Sequence, residues 1–348
     1  MNRFALTLCP GAEALSWCKF RQIHPPYSIA LDGYVNGGSQ YDARGPWLNL
    51  DHHADVDRLA TRATCSQVWL CIRQGLFEAF RDREGPRAQV YANDCDEDVC
   101  LSWFLLQNPQ LVCHPSNARL VKLVQSVDLL DTTGGANLQP LDGQLMSELA
   151  WVFAPYRQAK LEGTLDQPQA ALQRSIIDQV GQRIGDHLAG KGQLLPLDTR
   201  YERIGGGKGW ALVHEIGPQS RAGMVADGIR AYVSVRPLAN GAWSYAIGRV
   251  SPFVPFDVPA ILYEFNVTED FRRGRWGGGN LVGGSPRHHG SALSPQEITE
   301  IVNRIVSQKL PSLIGGQWKP RRATASGSSA SDRRRLRHRE ISGVSVVS

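Results

Sequence analysis

The chain has 348 residues, of which 42% are hydrophobic, and a formal net charge of +5. This length is enough for two domains, each with its own buried core. No apolar run reaches the roughly 18 residues that cross a bilayer, so we do not expect an integral membrane protein.

The basic character of the chain is concentrated near its C-terminus. Residues 319–348 carry eight Lys or Arg against Asp332 and Glu340, which leaves the rest of the chain close to neutral. This stretch is rich in Ser, Ala and Arg and is predicted to be a disordered tail, because it has too little apolar surface to bury. A weak contact with nucleic acid is one interpretation of its charge, and a solvated terminus is the other.

The seven cysteines and the N-terminal segment favour a reducing compartment. No two cysteines form a CxxC pair, which argues against a thiolate zinc site. The first residues lack a small-residue cleavage site, so we expect no secretory signal. A cytoplasmic protein is the simplest prediction.

Strands and helices are predicted to alternate in the N-terminal half. "YSIALDGYV" and "GPWLNL" are extended, and apolar residues recur at helical spacing from Arg58 to about Arg81. "AQVYAND" is a short strand, and helices follow in "DEDVCLSWFLLQ" and in "SNARLVKLVQSVDLLDTTGG", the second beginning at Ser116 or Asn117. This order predicts an α/β fold with a largely parallel sheet over residues 1–155.

The C-terminal half is predicted to form a second, smaller α/β domain. Residues 156–193 are polar with a helical pattern and are predicted to be a helical linker. Strands are then predicted in "WALVHEI", "IRAYVSVRP" and "WSYAIGRV", with a helix from about Ser294 to Lys309, so that the domain covers residues 194–318. "GGGKGW" at 205–210 lacks the spacing of a nucleotide loop and is predicted to be a turn.

Acidic residues and histidines recur at predicted strand ends and helix starts. They are Asp32, Asp51, His52, His53, Asp94, Asp96, Glu97, Asp128 and Asp131. In a parallel sheet, the residues that follow the carboxyl ends of the strands converge on one edge. Carboxylates gathered there repel one another unless cations neutralise them, so the pattern predicts a pair of divalent ions. Asp and His ligands without cysteine favour Mn²⁺, Mg²⁺ or Fe²⁺.

Each of these residues also has a purely structural interpretation. Asp94 and Asp96 could be helix N-caps, a common position for aspartate. The histidine pair could lie in an ordinary loop, while Asp128 and Asp131 could lie on an exposed helix face. The functional interpretation depends on their joint occurrence at equivalent positions of the sheet.

"LDHH" followed by "ATCSQVW" resembles the signature of the DHH phosphoesterase superfamily, which contains exonucleases and phosphodiesterases. A closer likeness is to the exonuclease-like branch named after the melanocyte-proliferating gene. "NDCDEDVCLSWFLL", "VDLLDTTGG" and "GGSPRHHGSAL" are similar to three of its motifs. The likeness covers roughly residues 28–135 and 232–295. The order of the acidic boxes is reversed relative to that branch, and Asp94 stands in place of a histidine.

The resemblance implies a DHH-like metal-binding domain over residues 1–155 and a two-metal phosphoesterase activity. The substrate would be a phosphodiester of a nucleotide or short oligonucleotide, and the cofactor Mn²⁺ or Mg²⁺. The implied metal ligands are Asp32, Asp51, His52, Asp94, Asp96 and Asp131, with Asp128 as a further candidate. His53 would protonate the leaving oxygen, and Glu97 would orient a metal ligand.

The glycine-rich segment "WGGGNLVGGSPRHHGSAL" offers backbone amides that can approach an anion closely. The residues predicted to bind the substrate are Gly283, Gly284, Ser285, Arg287, His288 and His289, with Arg287 as a bidentate phosphate partner. A flexible surface loop is the alternative. For the whole protein, the alternative is a non-catalytic nucleotide- or nucleic-acid-binding protein with a vestigial site.

Overall fold

The computed structural model describes residues 3–54, 56–113, 117–136, 143–269 and 274–314, and for residues 309–314 it describes the backbone only. The predicted tail, residues 319–348, lies outside the described residues. The chain is a mixed α/β protein with two main sheets, both of which contain parallel strand pairs. The predicted fold class is confirmed at that level.

The strands are β1 (Phe4–Leu8), β2 (Ser28–Leu31), β3 (Gln40–Asp42), β4 (Trp47–Leu50), β5 (Arg81–Asp82), β6 (Gly85–Pro86), β7 (Ala88–Ala92), β8 (Tyr201–Gly207), β9 (Trp210–Glu215), β10 (Ala231–Pro237), β11 (Trp243–Arg249), β12 (Gly277–Gly278) and β13 (Val282–Gly284). The helices are α1 (Trp17–Ile23), α2 (Thr64–Arg73), α3 (Leu76–Ala79), α4 (Glu97–Gln107), α5 (Pro109–Cys113), α6 (Ala118–Thr132), α7 (Gly143–Val152), α8 (Ala154–Leu161), α9 (Ala170–Leu188), α10 (Ser220–Ala226), α11 (Val258–Thr268) and α12 (Pro295–Ile314).

The first sheet has the strand order β1-β7-β2-β4-β3. The first four strands in this order run parallel, and β3 pairs with β4 in the antiparallel direction. All four residues of β2 are buried, as expected for a central strand that is covered on both faces. The predicted largely parallel sheet is therefore present, and its central strands end on one edge.

Helices α2, α4 and α6 pack together on this sheet, with buried residues that belong to one apolar core. The prediction that the first of these helices begins at Arg58 was wrong, because α2 begins at Thr64. Apolar spacing alone did not reveal that residues 58–63 form a loop. The reason for the late start is that carboxylates from other helices accept hydrogen bonds from the first amides of α2.

Residues 156–193, predicted as a linker, lie largely within the first structural unit. They contain the end of α8 and all of α9, and α9 contributes Ile176, Ile177, Val180 and Ile184 to the first core. The segment is polar overall because only one face of α9 is buried. The connection without regular structure is shorter, between α9 and β8.

The second sheet has the order β12-β13-β11-β10-β9-β8 and mixes antiparallel pairs with the parallel pair β9–β10. Helices α11 and α12 cover it, and both contribute to a second apolar core. The three strands predicted in this half are present, but β8, β12 and β13 were not predicted. Residues 205–207, predicted as part of a turn, belong to β8, and only the end of that segment forms the turn. Among the described residues, none of the helices combines the length and apolar composition that crossing a bilayer requires.

Candidate metal centre

Three neighbouring parallel strands deliver polar side chains to one edge of the first sheet. Asp32 directly follows β2, Asp51 directly follows β4, and Asp94 follows β7 after one intervening residue. Asp32 has a φ of 52°, a left-handed conformation that aspartate tolerates better than most residues. The next residue, Gly33, also has a positive φ, of 79°.

His52 lies at the centre of a buried group of carboxylates. Its Nε2 atom is 2.7 Å from Asp131 Oδ2, 3.5 Å from Asp32 Oδ1 and 3.6 Å from Asp98 Oδ2. His52 is fully buried, and the side chains of Asp32 and Asp98 are each 1% exposed. We call Asp32, His52, Asp98 and Asp131 the His52 cluster.

His53 joins the same group from the outer side. Its Nδ1 atom is 2.8 Å from Asp51 Oδ1 and 3.3 Å from Asp32 Oδ1, and its side chain is 31% exposed. The ligand atoms of Asp32, His52 and His53 lie within 4.8 Å of one another, and so do those of His52, Asp98 and Asp131. Distant parts of the sequence therefore provide two overlapping sets of possible metal ligands.

Helix α2 fixes two of these carboxylates. Asp98 accepts hydrogen bonds from the backbone amides of Thr64 and Cys65 at 2.7 and 2.6 Å. The hydroxyl of Thr64 donates to Asp32 Oδ1 at 3.0 Å. Because the first amides of a helix have no partner inside the helix, they are suitable donors for carboxylates. The start of α2 thus holds Asp32 and Asp98 in place.

The pKa values of this group reflect burial and the mutual repulsion of its carboxylates. Burial raises the pKa of Asp98 to about 7, and the neighbouring charges of Asp32 and Asp131 act in the same direction. Burial, followed by the charges of Asp32 and Asp94, also raises the pKa of Asp96 well above its ordinary value. Burial disfavours the charged form of His52, but Asp131 and Asp32 outweigh this effect and raise its pKa to about 11.

Several buried polar atoms of the site have no hydrogen-bond partner among the described residues. They are Asp51 Oδ2, His52 Nδ1, His52 Nε2 and Asp131 Oδ2. The approach of 2.7 Å between His52 Nε2 and Asp131 Oδ2 thus lacks the geometry of a hydrogen bond. Buried polar atoms are nearly always satisfied in folded proteins. Convergent nitrogen and oxygen atoms that are left unsatisfied fit the requirements of a bound cation.

The other predicted metal ligands lie around the cluster and have protein partners. Asp94 pairs with Arg287, and Asp96 caps α4 by accepting a hydrogen bond from the Val99 amide at 2.9 Å. Asp128 is one turn from Asp131 on α6, but it accepts a hydrogen bond from the Ala63 amide at 2.6 Å. The structure therefore brings Asp32, His52, His53 and Asp131 into the two ligand sets and leaves Asp51, Asp94, Asp96 and Asp128 outside them.

Glu97, predicted to orient a ligand, makes a different contact. It forms two hydrogen bonds with Arg157 on α8, at 2.5 and 3.0 Å. This pair joins α4 to α8 within the first unit. Glu97 therefore orients Arg157, and no bond to the His52 cluster is found for it among the described residues.

The glycine-rich segment is joined to the protein by many contacts. Gly283 and Gly284 belong to β13, where an added Cβ atom would lie 2.7 Å from Gly277 O and 2.8 Å from Tyr245 O, respectively. The Ser285 hydroxyl accepts a hydrogen bond from the Tyr245 amide at 3.0 Å. His288 Nδ1 is 3.0 Å from the Asp166 carbonyl, and the His289 carbonyl accepts a bond from Asn240 at 3.3 Å. Strand packing explains why the two glycines are needed here.

The turn between β12 and β13 contacts the loop that follows His53. The backbone amide of Arg58 donates to Asn280 at 3.5 Å, and a Cβ atom on Gly279 would lie 3.3 Å from the His53 carbonyl. Arg58 Nη1 donates to the Asp131 carbonyl at 2.8 Å. Arg58 therefore connects the second sheet to the His52 cluster.

Asp98 and Arg58 were not predicted as site residues. Asp98 lies in the acidic run "DCDEDV", but the sequence does not show which of its carboxylates faces α2. A positional signal exists, because Asp98 is the second residue of α4 and lies two residues beyond the cap Asp96. Arg58 belongs to no recognisable sequence motif. Its role depends on contacts with Asp131 and Asn280, which are 73 and 222 residues away in the sequence.

No protein-family model matches the chain, and no curated protein matches its sequence.

Proposed function

We propose that this protein is a divalent-metal-dependent phosphoesterase that cleaves a phosphodiester of a nucleotide or short oligonucleotide. The observation that carries the proposal is the convergence of buried, unbonded ligand atoms in the His52 cluster. The likeness of "LDHH" and its neighbouring motifs to the DHH phosphoesterases supports the choice of reaction.

The donor set fits Mn²⁺ or Mg²⁺. It consists of carboxylate oxygens and imidazole nitrogens, which suit these ions better than thiolate-preferring metals. Cys65 and Cys95 lie close to the site, but burial raises the pKa of each thiol, so both stay protonated. A protonated thiol is a poor metal ligand. The residues that would hold metal are thus Asp32, His52, Asp98 and Asp131, with His53 as a further ligand or proton donor.

Bound divalent ions would activate a water molecule and stabilise charge on the phosphoryl group. The protein prepares for this chemistry by fixing its carboxylates before any ligand binds. Thr64 holds Asp32, and the amides at the start of α2 hold Asp98. Rigid ligands reduce the reorganisation that metal binding and catalysis would otherwise require.

His53 is placed to transfer a proton. The 2.8 Å contact of its Nδ1 atom with Asp51 favours the tautomer in which Nδ1 carries the hydrogen. Nε2 of the partly exposed ring is then free to accept a proton from solvent and to pass it to the leaving oxygen. The backbone amide of His53 also donates a hydrogen bond to Asp51 Oδ1 at 3.2 Å. This second bond helps to keep the ring oriented.

The test compares the wild type with Asp131→Asn in the hydrolysis of bis-p-nitrophenyl phosphate with added Mn²⁺. We expect the variant to lose at least about 100-fold in kcat/KM, because it removes a charge from the cluster. Asp178→Asn is the matched control, since Asp178 is exposed on α9 and makes the same change of charge elsewhere. Equal activity of wild type and Asp131→Asn would refute the proposal.

A panel of mononucleotides and short oligonucleotides would then define the substrate. Tight Mn²⁺ binding without turnover of any member of the panel would favour the alternative, a non-catalytic nucleotide-binding protein with a vestigial site.

A further inference from the structure

A second candidate site lies beside the His52 cluster. A pocket of about 430 Å³ opens between the loop at residues 58–62 and helix α6. Its walls include two arginines, Arg58 and Arg62, the amide of Gln125, and the apolar side chains of Leu59 and Leu129. This volume falls within the range of pockets that bind small ligands.

Arg58 is the unusual member of this pocket. The residue is only 5% exposed, yet its Nε atom has no hydrogen-bond partner among the described residues. Its Nη1 atom donates to the Asp131 carbonyl, and no carboxylate of the described residues lies within ion-pair distance of the guanidinium. A buried guanidinium normally has its charge paired and its donors occupied. Arg58 thus brings an incompletely bonded guanidinium to the pocket wall, and its charge, which also lowers the pKa of Asp131, has no ion-pair partner there.

The other arginines near the site are neutralised to a greater extent. Arg287, predicted from the sequence to bind phosphate, forms an ion pair with Asp94. Arg62 lies 3.3 Å from Asp128, but its side chain is 60% exposed and can turn toward the pocket. The available positive charge therefore lies on the α6 side of the cluster.

The pocket is also close to the metal ligands. Asp128, on its wall, precedes Asp131 by one turn of α6, which corresponds to roughly 5 Å along the helix. Arg58 contacts both regions, because it lines the pocket and bonds to Asp131. A ligand with two anionic groups could therefore reach the metal cluster and the pocket together.

We propose that this pocket binds a second phosphate of the substrate, next to the phosphodiester that is cleaved. Arg58 and Arg62 donate hydrogen bonds to the phosphate, and Leu59 and Leu129 contact the attached nucleoside. A planar guanidinium matches phosphate oxygens in geometry and charge. This inference rests on the proposed function and specifies its substrate as an oligonucleotide with a phosphate beside the scissile one.

The test measures binding of two thymidine dinucleotides to the full-length protein in EDTA, where no turnover occurs. One dinucleotide carries a terminal 5′-phosphate and the other lacks it. We expect the wild type to bind the phosphorylated form about tenfold more tightly, as one or two charge-assisted hydrogen bonds would give. Arg58→Gln and Arg62→Gln should each remove most of this preference. Arg62→Gln guards against a folding defect, because Arg62 is largely exposed.

Lys122→Gln is the matched control for loss of positive charge. Lys122 is exposed on α6 and does not line the pocket, so its removal should leave the preference unchanged. A wild type that binds both dinucleotides equally overturns the inference, as does an equal effect of all three variants. A preference that persists without any Mn²⁺-dependent turnover supports the pocket and contradicts the phosphoesterase. Turnover without the preference does the reverse.

Discussion

The His52 cluster and the glycine-rich segment both looked like binding sites in the sequence, yet they differ in how their polar groups are satisfied. In the cluster, buried atoms of His52 and Asp131 converge without hydrogen bonds. In the segment, Ser285 bonds within the sheet, and Arg287 is paired with Asp94. A protein tolerates unsatisfied buried polar atoms when a ligand completes them or when function requires the strain.

This difference distinguishes a cluster of side chains that could hold a cation from a segment whose polar groups bond within the protein. The contacts of Gly283 and Gly284 show that a glycine-rich sequence can reflect close strand packing. Motif and composition alone do not distinguish these two uses of glycine.

The largest effect on Mn²⁺ affinity is expected from replacing the histidine of the cluster, with a histidine of the glycine-rich segment as the comparison. His52→Ala should weaken Mn²⁺ binding by at least about 100-fold, because the imidazole is at the centre of both ligand sets. His288→Ala should leave Mn²⁺ affinity within about twofold, since His288 contacts the Asp166 carbonyl. Isothermal titration calorimetry measures both. Equal losses would show that the two regions are not distinguished by metal binding.

Mn²⁺ affinity should depend on pH, because protonated groups lie in the His52 cluster. With a pKa raised to about 11, His52 carries a proton at neutral pH, and Asp98, with a pKa of about 7, is partly protonated. Mn²⁺ must displace these protons, so its affinity should rise about tenfold per pH unit for each proton released between pH 6 and 8.

The stability of the metal-free protein should change with pH in the opposite direction and fall as the pH rises. The folded-state pKa of Asp98 lies above its unfolded value, so protonated Asp98 stabilises the fold at acid pH. That contribution is lost as the pH rises through about 7. Thermal unfolding with Mn²⁺ and with EDTA across this range tests both trends, and a Mn²⁺ effect that shrinks toward pH 8 would contradict them.

The sequence predicted the sheet and its edge more reliably than the individual ligands. Strand periodicity in "AQVYAND" and the helical pattern after it correctly located β7 and α4. The sequence could not decide between Asp96 and Asp98, because the two lie at the N-cap and in the first turn of α4, and the packing of that helix decides which faces α2. The alternative interpretation of Asp96 as a helix N-cap is confirmed, because its carboxylate accepts a hydrogen bond from the Val99 amide.

The contacts of Arg58 and Asp128 could not be predicted from the sequence for the same reason. Arg58 bonds to Asp131, and Asp128 bonds to Ala63, 65 residues earlier in the chain. Such contacts depend on how loops and helices meet in three dimensions. Periodicity describes one element at a time and contains no information about its partners.

Asp128→Ala should produce a smaller effect, on stability. It removes the acceptor for the Ala63 amide at the start of α2, and we expect a loss of about 1–2 kcal/mol in the free energy of unfolding. Mn²⁺ affinity should stay within a fewfold of wild type, because Asp128 lies outside the two ligand sets. Chemical denaturation and calorimetry measure the two quantities. A large loss of Mn²⁺ affinity with normal stability would instead indicate that Asp128 is a metal ligand.

The smallest expected effect is that of Ser285→Ala in the glycine-rich segment. The Ser285 hydroxyl accepts a hydrogen bond from the Tyr245 amide, and its loss should cost about 1 kcal/mol in the free energy of unfolding. The backbone bond from the Ser285 amide to the Tyr245 carbonyl remains, so β13 should stay paired with β11. If the segment serves architecture, the KM for a phosphodiester should change by less than about twofold, because the lost bond lies within the sheet. A KM raised tenfold with unchanged stability would mean that the hydroxyl binds phosphate, and the contrast with the His52 cluster would then fail.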